Sequence, residues 1–72
     1  MNKQEAIECI GKRVKVTHQR FLPGEWIKQH KTSEKHYIDN KDNVIDIKKF
    51  WQYRTAASWL DGWLIYVKPK IK

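Results

Sequence analysis

From Val44 to Val67 the chain reads VIDIKKFWQYRTAASWLDGWLIYV, and no other stretch limits the fold as strongly. It holds Phe50, Trp51, Tyr53, Trp59, Trp63 and Tyr66, six of the nine aromatic residues in the protein. A chain of 72 residues has one place for so much apolar volume, so this segment supplies most of the core. Six rings are more than a small core needs, and Lys48, Lys49 and Arg54 stand among them. The segment is therefore also expected to present a working surface.

The length allows one domain, residues 1–72, ending in a loose basic tail over 68–72. Such a domain buries roughly 60% of the surface its unfolded chain exposes, so large side chains must compensate for a small interior. Fifteen Lys and Arg against 8 Asp and Glu leave a formal net charge of +7. A field of that sign draws polyanions whatever the fold. Nucleic acid, DNA or RNA, is the first partner to consider. An acidic protein surface or peptide is the second, and a merely solvated basic surface is the plain alternative.

One cysteine, Cys9, excludes an intramolecular disulfide and a cysteine-based zinc cluster within the chain. That usage fits a reducing compartment, with the cytoplasm as the default. No apolar run approaches the roughly 20 residues of a membrane span, so no membrane partner is expected. MNKQEAIECIGKR lacks the apolar stretch of a signal peptide.

Asn2 to Ile10 predicts a short helix. Asn2 can cap it, Glu5 completes a capping box, and Ala6, Ile7 and Ile10 share one face, with Gly11 just past the end. Cys9 reads as a packing residue. Arg13 to Gln19 alternates, with Val14 and Val16 inward and Arg13, Lys15 and Thr17 outward, as in a half-buried strand. Pro23-Gly24 predicts a turn, and Glu25 to His30 a second strand. Tyr37 to Ile47 predicts a hairpin through Asn40-Lys41-Asp42-Asn43. Lys48 to Arg54 either prolongs the strand or bends into a new one. Thr55 to Gly62 predicts one short helical or 3₁₀ turn. Trp63 to Lys68 is apolar on both faces and reads as a central last strand. The expected core is Ile7, Ile10, Val14, Val16, Trp26, Ile45, Ile47, Trp59, Leu60, Trp63, Ile65 and Val67.

These elements predict a mainly β (α+β) domain. A short N-terminal helix precedes a four- to five-stranded antiparallel sheet, either bent or rolled into a partly open barrel. A single 3₁₀ turn before the last strand resembles, in outline, an SH3-like barrel, with an OB-like barrel as the related option. Being short and rich in Lys, Ile and Asn, parts of the chain also resemble small phage or prophage proteins.

Catalytic machinery is not evident. Three glycines form no phosphate loop. His30, His36 and Asp39 match no established metal spacing, and Asp39, Asp42, Asp46 and Asp61 sit where turns need them. No enzyme, cofactor or metal is expected. The informative pattern is basic residues interleaved with aromatic ones. If extended, Lys48-Lys49-Phe50-Trp51-Gln52-Tyr53-Arg54 offers cations and rings on both sides, as single-strand binders need. The candidate nucleic-acid residues are Arg13, Lys15, Arg20, Lys48, Lys49, Trp51, Tyr53 and Arg54. The competing function is a protein-interaction module: an SH3-like adaptor, a small inhibitor of a partner enzyme, or a homodimer. One contiguous basic face would favour nucleic acid, and cations dispersed around an exposed aromatic patch would favour protein.

Overall fold

The computed structural model describes residues 1–68. The expected tail, apart from Lys68, lies outside the described residues.

Helix α1 spans Lys3–Gly11. The Asn2 side chain accepts from the Glu5 N–H, and the Glu5 carboxylate accepts from the Asn2 N–H, closing the capping box. Ala6 and Ile10, one turn apart, are buried. The helix runs one residue further than expected: Gly11 is helical and Arg13 takes the left-handed conformation beyond it, at φ 67°. The Arg13 and Val14 N–H groups donate back to Ile10 and Cys9, so the reversal is set by backbone bonding rather than by a glycine.

Strands β1 (Val16–His18), β2 (Ile27–Gln29), β3 (His36–Asp39) and β4 (Val44–Asp46) form an antiparallel meander. Between β1 and β2, Gly24 at φ 82° turns the chain, closed by the Glu25 N–H donating to the Leu22 carbonyl. Between β3 and β4, the Asp39 carboxylate accepts from the N–H groups of Lys41 and Asn43 and from the Asn43 side chain. After β4 the chain forms helix α2 (Ile47–Gln52) and a 3₁₀ turn (Ala57–Trp59), and returns as β5 (Trp63–Ile65) beside β1. The sheet order is β4-β3-β2-β1-β5, and the sheet is not closed into a barrel. The domain is thus mainly β (α+β), an N-terminal helix before a five-stranded antiparallel sheet, as expected, in the open-sheet rather than the barrel form.

Two local expectations change. Lys48 to Arg54 is not extended: Asp46 caps α2 through the Lys49 N–H, and Ile47 begins a helix instead of prolonging the strand. β5 is an edge strand, not a central one. It is apolar on both faces because Trp63 enters the core while Leu64, Ile65 and Val67 stay largely exposed. The expected 3₁₀ turn is present at Ala57–Trp59, preceded by Ala56 with no side-chain cap.

The core lies between the sheet and the helices. Ala6 and Ile10 of α1, Phe50 of α2, and Val16, Ile27, Tyr37 and Trp63 of the sheet form one cluster, with Ile45, Ile47, Trp51 and Trp59 packed against it. Of the expected core, Leu60, Ile65 and Val67 are exposed, and Trp26 belongs to the other side of the sheet. Among the described residues no helix is long and apolar enough to cross a membrane.

Candidate functional site

The sheet has two unlike faces, and strand alternation assigns each side chain. Val16 and His18 are buried beneath the helices, so Thr17 between them points the other way. Ile27 is buried, so Trp26 and Lys28 point with Thr17. Register carries the assignment across the sheet, since Thr17 faces Leu64, Lys28 faces Ile38, and Ile38 faces Val44. The Tyr66 N–H donates to the Lys15 carbonyl, which extends the β1–β5 ladder and puts Lys15 and Tyr66 on this outer face too. Both helices contribute to the single inner core, and none of the described helices packs on the outer face.

Trp26 and Tyr66 meet on that face, with ring centroids 6.2 Å apart. The Lys15 ammonium lies 4.4 Å from the Trp26 ring centroid and that of Lys28 lies 5.7 Å away. Antiparallel pairing brings the start of β1 and the end of β2 to the same end of the sheet. The Arg13 guanidinium accordingly donates to the Lys31 carbonyl, at 3.4 Å. Arg13, Lys15 and Lys28 therefore gather at one end of the outer face, beside the two rings, and the exposed Lys31 follows at that same end.

The sequence-derived candidates divide between the two sides. Arg13 and Lys15 join the outer face. Lys48 and Lys49 are exposed on α2. Trp51 is half-buried, donates its Nε1–H to the Tyr37 hydroxyl at 3.0 Å and packs 5.2 Å from Trp63, so it is a core residue. The buried Tyr37 hydroxyl is raised above its ordinary pKa by burial, which the Trp51 bond partly offsets. Tyr53 is exposed at the C-terminal end of α2. Trp26, Lys28 and Tyr66 were missed. Trp26 and Lys28 lie well upstream of the aromatic-rich segment and Tyr66 near its end, and the outward position of Trp26 follows from its alternation with Ile27.

Arg20 and Arg54, 34 positions apart in sequence, meet at one ring: their guanidiniums lie 5.3 Å and 5.1 Å from the Trp59 ring centroid. Arg54 also lies 3.9 Å from the Phe50 ring. Together with Phe21, Glu25, Ile27, Asp39 and Ile45, these residues line a cleft of about 200 Å³ on the helix side. Behind it, His18 is buried among Phe21, Trp59 and Trp63. His18 Nδ1 accepts from the Arg20 N–H at 3.0 Å, which leaves Nε2 protonated to donate to the Asp61 carbonyl at 2.7 Å. His18 is therefore a bonded core histidine.

His30 and His36 lie 6.4 Å apart, each occupied with loop 31–35. Among the described residues no group of three or more His, Cys, Asp or Glu side chains is placed to hold a metal. No family model, curated protein or solved structure matches the chain.

Proposed function

We propose that this chain is a nucleic-acid-binding module that takes a single strand on the outer face of its sheet, as a binding protein rather than an enzyme. Trp26 and Tyr66 stack on bases, while Arg13, Lys15, Lys28 and Lys31 contact phosphates. The observation that carries the reading is the open pair of rings with two ammonium groups on Trp26. A base arriving on Trp26 displaces those lysines. Exposed cation–π contacts are worth about 0.5–1 kcal/mol, whereas stacking contributes about 1–3 kcal/mol per base. The exchange therefore favours the base, and it hands the freed lysines to the phosphates. The single free cysteine fits a reducing compartment, and the cytoplasm is part of the same proposal.

The test is a fluorescence-anisotropy titration of labelled single- and double-stranded oligonucleotides at several salt concentrations. With four phosphate contacts on a single strand, log affinity is expected to fall against log salt with a slope of about −3. Trp26→Ala should weaken single-strand binding by about fivefold to about a hundredfold, the equivalent of one stacked base. Absence of binding at low salt, or an unchanged affinity in Trp26→Ala, would remove the reading.

A second reading, a protein partner or a second copy of the chain, has an observation of its own. Trp63 exchanges both backbone bonds with Met1, so its N–H and C=O point away from β1. Alternation points those of Ile65 the same way, on an edge strand whose Leu64, Ile65 and Val67 are exposed. Such an edge accepts a further strand. A concentration-dependent dimer in sedimentation equilibrium, abolished by Ile65→Lys, would favour it.

A further inference from the structure

The helix-side cleft has features that the outer-face reading does not use. Two cations, Arg20 and Arg54, and two anions, Glu25 and Asp39, line it; the Glu25 charge acts on Arg54, but both carboxylates are hydrogen-bonded within their own turns. Glu25 Oε1 accepts from the Leu22 N–H at 3.0 Å, inside its own turn. Asp39 is taken up by Lys41 and Asn43. Arg54 donates from Nη1 to the Phe50 carbonyl at 3.1 Å, and its Nε is buried with no acceptor. A buried donor left unmade is costly, of the order of 1–3 kcal/mol, and a charged one costs more. Arg20 is held at the same ring by its Nη1–H donating to the Ser58 hydroxyl at 2.6 Å.

Two guanidiniums converging on one indole, one of them with an unpartnered Nε–H, make a fork for an oxyanion. The apolar part of the lining, Phe21, Ile27, Ile45, Phe50 and Trp59, accepts a flat apolar body beside the carboxylates of Glu25 and Asp39. At about 200 Å³ the cleft is smaller than the pockets that hold drug-sized ligands, so the body is of single-ring size.

We infer that this cleft binds an organic phosphate monoester, its phosphate held by Arg54 and Arg20 and its ring set against Phe21, Phe50 and Trp59. A monoester carries a charge of about −1.5 to −2 near neutral pH, enough to engage both guanidiniums. The phosphate can belong to a free small molecule or to the end of a nucleic-acid strand. The inference stands without the outer-face reading, because the two sites lie on opposite faces of the sheet.

The experiment is NMR titration of the full chain, following the Arg54 Nε–H resonance, with phenyl phosphate and with inorganic phosphate. The expected result is a saturable shift with phenyl phosphate, and binding of inorganic phosphate weaker by about tenfold or more, since it lacks the ring. Arg20→Gln changes an exposed side chain and should preserve the fold while weakening phenyl phosphate by about tenfold. Arg54→Lys keeps the charge but loses the fork, and should weaken it at least as much. Trp26→Ala should leave phenyl phosphate binding unchanged, which separates failure of this site from failure of the outer face. A 5′-phosphorylated oligonucleotide that shifts the same resonance at lower concentration than phenyl phosphate, where its 5′-hydroxyl counterpart does not, identifies a strand end as the source. An advantage for phenyl phosphate identifies a free molecule. No shift with any phosphate ester, or equal affinity in wild type and Arg20→Gln, overturns the inference.

Discussion

Trp63 is the side chain on which the inner layer closes. It is fully buried, donates its Nε1–H to the Trp59 carbonyl at 2.8 Å, and meets the rings of His18, Phe21, Phe50, Trp51 and Trp59. Trp63→Ala is expected to cost about 3–5 kcal/mol, comparable with the whole stability of a chain this short. Circular dichroism should show no cooperative melt, and a near-wild-type transition would contradict the placement. One position before it, Gly62 sits at φ 84°, where a side chain is strained by about 1–2 kcal/mol. An added Cβ would also come within 2.8 Å of the Gln19 side chain, which is exposed and can swing aside. Gly62→Ala should therefore lower the melting temperature by roughly 5–10 °C, through backbone strain more than through collision. Gly24→Ala, at φ 82° with open space around it, isolates the strain alone.

At the scale of elements, two carboxylates hold the β3–β4–α2 unit. The Lys49 N–H first, against a small desolvation cost, and then the Lys48 N–H and the charges of His36 and Lys49 keep the Asp46 carboxyl below its ordinary range. For Asp39, partial burial pushes upward, but the N–H groups of Asn43 and Lys41 and the Lys41 charge outweigh it. A carboxyl whose folded-state pKa is depressed contributes stability that is present above its unfolded value and lost as pH falls through the folded one. The melting temperature should accordingly drop between about pH 5 and about pH 2, and the double variant Asp39→Asn, Asp46→Asn should show a shallower drop over that window. The same elements show what local sequence conveys. The capping box of α1 and the turns at Gly24 and at Asn40–Asn43 were legible, because each uses bonds within a few residues. Helix α2 was not. Six residues are too few for periodicity to separate helix from strand, and its one signal, Asp46 three residues before Lys49, stands on a residue that also ends β4.

At the scale of the molecule, a net charge of +7 acts in two opposite ways. It repels itself within the folded chain, so raising salt from about 0.01 M to about 0.15 M should raise the melting temperature slightly by screening. The same salt should weaken nucleic-acid binding, and measuring both separates folding from association. The charge and its sign were plain in the sequence, but its distribution was not. Arg13 and Lys15 reach the outer face with Lys28, Arg20 and Arg54 meet across Trp59, and Trp51 turns into the core.

By itself the sequence determined the class of fold, the cap of the first helix, the turns of the meander and the cationic character. All of these follow from composition or from bonds spanning a few residues. Tertiary structure alone decided that β5 returns to the free edge of β1, that both helices cover one face, and that Trp26 and Tyr66 share the other. Those facts depend on pairing between residues about 50 positions apart, such as Val16 with Ile65, where no local preference reaches.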